Sequence, residues 1–133
     1  MLTETDILRM TQRIVARFNP LVVGLFGSYA IGTAHAQSDL DLFMIRATPG
    51  QTGRDRIAVR RLLEGVMHPL DIHVFTAEGF EEEAAEALSF AWVIVRQARV
   101  THAAPAARVL VASLFTQQGS QGAGMAQADL PPG

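Results

Sequence analysis

Cysteine and lysine are both absent from this chain of 133 residues. Without cysteine there is no disulfide framework, no zinc–thiolate site and no thiol nucleophile, so any metal must be held by oxygen or imidazole. Without lysine all eleven basic side chains are arginine. That bias fits genomic base composition, but any cation set against a phosphate must then be a guanidinium. A long apolar run is also missing, since none approaches the roughly 20 residues of a membrane-spanning helix. Residues 1–6 carry Glu4 and Asp6 rather than the basic cluster and apolar stretch of a secretory signal. A soluble, cytoplasmic protein with no membrane partner is the expectation. Nor is there an excess of positive charge: the formal net charge is −2, which leaves no electrostatic footprint for nucleic acid. What is present, 49% hydrophobic and 18% charged residues, is globular composition sufficient for one core.

Apolar Ile7, Met10, Ile14 and Phe18 recur at helical steps behind a Thr3 cap, predicting an amphipathic helix over 3–18 that closes at Asn19-Pro20. Residues 21–26 form a short apolar run ending at Gly27 and read as a buried strand, with Ser28 opening a short helix up to Gly32. A loop over 33–38 leads to a second strand, 39–45, stopped by Thr48-Pro49-Gly50. Val59, Leu62, Leu63 and Val66 mark one face of a helix over 54–66, with arginines opposite. Residues 69–75 form a third strand, and a helix begins at Thr76 with acids suited to its positive end. The stretch 88–95 suits either a strand or a continuation of that helix, and continued helix is preferred. A short strand near 99–102 and a helix over 105–115 follow. Residues 117–133 carry almost no bulky apolar side chains and read as a disordered tail. Alternating helix and strand indicate a layered α/β (α+β) domain.

Side chains two apart on a strand share a face, so Asp39 and Asp41 stand together while Leu40, Leu42 and Met44 face the core. Paired carboxylates raise each other's proton affinity, a cost that a cation between them removes. On its own, the pair equally fits two acids solvating an exposed sheet face. Asp71 shares a strand face with His73 and Phe75. If that strand neighbours the first, Asp71 completes a three-carboxylate cluster; alone, it also fits a solvated strand residue. Gly27-Ser28, between strand and helix, turns backbone N–H groups and a hydroxyl toward an anion, although a single Gly-Ser is more often an ordinary turn and cap. His73 reads as a hydrogen-bonded structural histidine, and His35, His68 and His102 show no ligand spacing. Phe90, Trp92 and Ile94 read as packing or partner-contact residues.

Gly27-Ser28, ten intervening residues, Asp39-x-Asp41, and a later Asp71 in a Leu-Asp-Ile-x-Val strand together resemble the signature of polymerase-beta-type nucleotidyltransferases. Within that superfamily the chain is most similar to the minimal MNT proteins, which include antitoxins encoded beside HEPN-domain toxins. The resemblance covers about residues 3–102 and implies a polymerase-beta-like mixed sheet with helices packed on it. It divides the chain into a nucleotidyltransferase domain at 1–102, a helical extension at 103–116 and the tail at 117–133.

Residue by residue, the resemblance implies that Gly27 and Ser28 hold a nucleoside triphosphate. Asp39, Asp41 and Asp71 would bind Mg²⁺, two ions in all, with Asp71 also the general base on an acceptor hydroxyl. One departure is Ile31, where related proteins often carry an arginine. It puts the phosphate-facing cation, and with it nucleotide affinity or turnover, in doubt; Arg46, Arg54 and Arg56 are candidates to replace it, although each fits a solvated face better. The implied reaction is transfer of AMP from ATP to a hydroxyl, the acceptor being a tyrosine of a HEPN-domain partner, because little chain remains to grip a separate acceptor. Two alternatives stay open: a catalytically weak antitoxin that neutralises a toxin by binding alone, and an aminoglycoside-type nucleotidyltransferase. Homo- and hetero-oligomers are both compatible with the sequence.

Overall fold

A computed structural model of the chain describes residues 1–47 and 52–122. The first helix, α1 (Glu4–Phe18), opens on a capping box: the Thr3 hydroxyl accepts from the Asp6 N–H at 3.1 Å, and the Asp6 carboxylate accepts from the Thr3 N–H at 2.8 Å. Ile7, Met10, Ile14 and Phe18 are its buried face, as their spacing predicts. Asn19 ends the helix in a left-handed conformation ahead of Pro20.

Four strands form one mixed sheet in the order β3-β2-β1-β4, with β1 (Val22–Phe26), β2 (Leu40–Arg46), β3 (Leu70–Thr76) and β4 (Arg99–Ala103). β1 is antiparallel to both neighbours, whereas β2 and β3 run parallel and are joined through α3 (Thr52–Leu62). Both sheet faces are covered, so β1 is apolar and buried along its whole length. Val23, Leu25, Leu40, Leu42, Met44 and Ile72 pack against α1 and α3. Val22, Phe26, Phe43 and Ile45 pack on the other side against α4 (Ala77–Ala84), α5 (Phe90–Gln97) and α6 (Arg108–Gly122), a turn at Pro105–Ala107 linking β4 to α6. Phe43 stacks with Phe80 and Phe115, which fastens the C-terminal helix to this second core. Among the described residues no helix is long and apolar enough to cross a membrane.

Three features depart from the sequence reading. The expected continuous helix through 76–95 is broken into α4 and α5, because Ser89 caps α5 by accepting from the Trp92 N–H at 3.1 Å, a start signal that the Ala/Glu pattern outweighed. Asp39 lies one residue before β2 rather than within it. Helix α6 runs on to Gly122, into the stretch read as a tail, where Gln117, Gln118 and Gln121 are good helix formers that carry no apolar signal. The rest of that tail, and the Thr48-Pro49-Gly50 stop, lie outside the described residues.

Arg46, at the end of β2, donates to the buried Asp55 of α3 at 3.0 Å and to the Phe18 carbonyl at 3.1 Å, tying strand and both helices together. Removing one member of such a pair strands the other. Asp55→Ala is expected to lower stability by roughly 1–3 kcal/mol, read as a lower urea midpoint with an unchanged slope; an unaltered midpoint would show that the pair contributes nothing.

Candidate active site

The last residue of β1, Phe26, sits opposite Asp41, and Asp41 in turn sits opposite Asp71 across the parallel β2–β3 ladder. Because strand side chains alternate, Asp41 shares its face with Phe43 and Ile45, and Asp71 shares its own with His73 and Phe75. Both acids therefore stand on the side of the sheet covered by α4 and α5, at the entry of their strands, where helix packing gives way to solvent. Asp39 is exposed in the approach to β2. Its position is set by its neighbours: His68 Nε2 lies 2.9 Å from the Ser38 carbonyl, and the Leu40 N–H donates to the Pro69 carbonyl at 3.0 Å. A carbonyl only accepts, so this His68 nitrogen carries the proton.

Gly27 follows Phe26 with φ +74 and opens the short helix α2 (Ser28–Ile31), whose Ala30 and Ile31 N–H groups donate to the Gly27 carbonyl at 2.9 and 3.1 Å. Glycine is favoured here, because a β-carbon at position 27 would displace the Asp41 carboxylate, and the positive φ already disfavours one. The turn and the acid are thus in direct contact. The Gly27 N–H donates to Gln97 Oε1 at 3.2 Å, from the last residue of α5.

Asp41 has its proton affinity raised above the ordinary carboxylate range. Burial is the main cause, the charge of Asp71 adds to it and that of Asp39 contributes least, while His73 pulls in the opposite direction. The three acids are therefore electrically coupled at Asp41. As they stand they do not close into the expected cluster: among the described residues no three acidic or imidazole side chains are arranged to hold a metal ion. Asp39 lies outside the strand, and Asp71 is drawn to His73, whose Nε2 is 3.2 Å from Asp71 Oδ2. Mutual repulsion favours this spreading of free carboxylates. The donor chemistry, three carboxylates on adjoining strands, nevertheless suits a hard, oxygen-seeking divalent cation.

Phe26, Gly27 and Asp41 form the floor of a cleft of about 780 Å³, the size of a small-molecule site. One wall is acidic, made by Glu82, Glu83 and Glu86, and the other side carries Phe90, Val93 and Gln97. None of the described residues lining it is basic. Arg46 is committed to Asp55, and Arg54 and Arg56 point into solvent on α3, so none of the three supplies the cation lacking at Ile31. Ile31 itself is exposed.

Sequence reasoning missed several cleft residues. The Glu82–Glu83–Glu86 group reads locally as a favourable helix start, and only the placement of α4 against β3 turns it toward the acids. Gln97 carries no local signal, being seventy residues from the amide it meets. His73, expected to be structural, is hydrogen-bonded as anticipated, but its partner is a candidate site acid.

A family model described as a nucleotidyltransferase domain matches residues 8–99. No curated protein matches the chain in sequence. Among solved structures, a variant of the toxin-antitoxin MntA-HpeT is 18% identical, covers 90% of this chain and 92% of its own, and superposes with a TM-score of 0.54. A toxin-antitoxin with AMP-PNP is 18% identical over 86% of this chain and 90% of its own, with a TM-score of 0.53. The toxin-antitoxin MntA-HepT is 13% identical over 90% and 92%, with a TM-score of 0.52. Such identities speak to the fold, while the family match spans more than half of the sequence and takes in Gly27, Ser28 and all three acids: the chain belongs to the nucleotidyltransferase domain family, with a minimal polymerase-beta-like fold.

Proposed function

We propose that this protein transfers a nucleoside monophosphate, AMP from ATP, to a hydroxyl of a partner protein. The observation that carries the reading is the pairing of Asp41 with Asp71 across the β2–β3 ladder, with Asp41 and Gly27 together lining the cleft. Gly27 and Ser28 hold the triphosphate, and Asp39, Asp41 and Asp71 hold Mg²⁺. When bound, the metal supplies charge neutralisation at the phosphate oxygens. The acceptor oxygen bonds to the α-phosphorus, the bond to pyrophosphate breaks, and the hydroxyl proton passes to Asp71. A protein acceptor, a tyrosine of a HEPN-domain toxin, is supported by fold likeness to toxin-antitoxin structures, one of them with AMP-PNP. A second reading, neutralisation of a toxin by binding alone, is favoured by the absence of basic residues among the described cleft lining and by Ile31.

Three outcomes follow. Incubated with labelled ATP, Mg²⁺ and the product of the neighbouring gene, the wild-type chain is expected to label that protein, and Asp39→Ala with Asp41→Ala to reduce labelling to background; labelling that survives the double change rules the mechanism out. Full toxin neutralisation by the same variant at normal expression favours the binding reading.

Gly27→Ala should weaken nucleotide binding while leaving a folded protein, as measured by ATP titration and circular dichroism. The new methyl group displaces the Asp41 carboxylate, and alanine must adopt φ +74 with ψ −155, a region essentially confined to glycine, at a cost of about 1–3 kcal/mol. Unchanged ATP affinity would remove Gly27 from the site.

Asp41 also links function to stability. Its folded-state pKa lies above the unfolded value, so the folded protein binds the extra proton and loses stability as pH rises out of the carboxylate range. In metal-free buffer Asp41→Asn should therefore melt higher than wild type at neutral pH, and this advantage should vanish below about pH 4. A variant that melts lower at neutral pH would contradict the electrostatic reading of the site.

A further inference from the structure

Asp71 sits near the start of an edge strand with 53% of its side chain exposed, and a carboxylate that exposed is ordinarily free to change rotamer. Here it is not left free. His73, two residues on and on the same face, directs Nε2 at Asp71 Oδ2 from 3.2 Å. A carboxylate only accepts, so Nε2 carries the proton in this bond. The imidazole is itself confined, with only 16% of its side chain exposed. Phe26 meets it edge-on with centroids 5.2 Å apart, and Phe90 covers it at 4.5 Å. The clamp thus draws on the end of β1, on β3 and on the first residue of α5. Holding Oδ2 leaves Oδ1 as the oxygen available to other partners.

We infer that His73 is a positioning residue for Asp71, fixing through its clamped imidazole which carboxylate oxygen the acid presents to the reaction. The inference rests on the proposed transfer reaction. A plain surface contact between residues two apart on one strand would leave turnover unchanged. Outer groups that orient a functional carboxylate are different, since their loss typically costs about 10–100-fold in activity or metal affinity. The aromatic clamp favours the second case, because it immobilises the donor rather than leaving two solvated side chains to meet.

Two variants separate donor from packing. His73→Phe retains a ring between Phe26 and Phe90 and removes the N–H, whereas His73→Gln retains an N–H donor of similar reach and removes the ring. With ATP, Mg²⁺ and acceptor protein, His73→Phe is expected to lower kcat about tenfold with KM for ATP within about twofold, and His73→Gln to recover part of the loss. Unchanged kcat in His73→Phe, or a glutamine variant no better than phenylalanine, overturns the role. A readout without turnover accompanies it: in the imidazole ¹H–¹⁵N spectrum of the full chain, His73 should show a protonated Nε2 whose signal shifts in Asp71→Ala. A signal indifferent to Asp71→Ala also overturns the inference. Absence of transfer by the wild type, with the Asp71-dependent signal present, instead counts against the reaction and leaves the contact standing.

Discussion

The register of β2 against β3 is the constraint on which this molecule turns. In a sheet buried on both faces, a slip of β2 by one residue would carry Leu40, Leu42 and Met44 out of the core shared with α1 and α3, and would exchange each for a side chain of the opposite face. The apolar pattern that closes the core therefore also aligns Asp41 with Asp71. No separate device is needed to bring the acids together, because the strands that carry them cannot pair otherwise without exposing several buried side chains at about 1.5–3 kcal/mol each. The antiparallel pairing of β1 extends the same logic, since it sets Phe26 beside Asp41 and leaves Gly27 as the next residue of the chain.

Charge sets the second constraint. The cleft holds a partly buried Asp41 with its like-charged neighbour Asp71, and its wall adds Glu82, Glu83 and Glu86. With no lysine in the chain and Arg46 bound to Asp55, the described residues offer no cation at the floor. Such a cleft repels a triphosphate until cations from outside offset both sets of negative charge. On the proposed function, nucleotide affinity would follow divalent-ion concentration steeply, and a basic surface brought by a partner protein would act in the same direction. The departure at Ile31 would then shift the electrostatic burden outward.

Much of this was legible in the sequence, for a definable reason. Period-two alternation in Leu40 to Ile45 and in Leu70 to Phe75 assigns Asp41 and Asp71 to one face, and the apolar spacing of α1 survives intact as its buried stripe. Gly27 was legible as a turn, but not as the residue that must be bare for Asp41 to occupy its place. What local reading missed depends on tertiary placement. Gln97 reaches the Gly27 amide only because α5 returns the chain to the end of β1, and Glu82, Glu83 and Glu86 face the cleft only because α4 lies along β3. The spacing of the acids is not legible for a related reason: alternation predicts which side of a sheet an acid occupies, whereas the closeness of carboxylates depends on what repels and what holds each one.

The break between α4 and α5 shows how such placement is achieved. Leu88 adopts φ +71, a left-handed conformation that costs a non-glycine residue about 1–2 kcal/mol. Hydrogen bonds around it offset that strain: the Ser89 hydroxyl donates to the Glu83 carbonyl at 2.7 Å and accepts from the Trp92 N–H, and the Ala91 N–H donates to the Glu83 carboxylate at 3.2 Å. Net contributions near 1 kcal/mol for each bond suffice to hold the turn. An unbroken helix would have carried Phe90 onward along the α4 axis. The turn instead starts α5 with Phe90 against His73, so a strained leucine and a serine cap in one connection determine how an acid on the far strand is held.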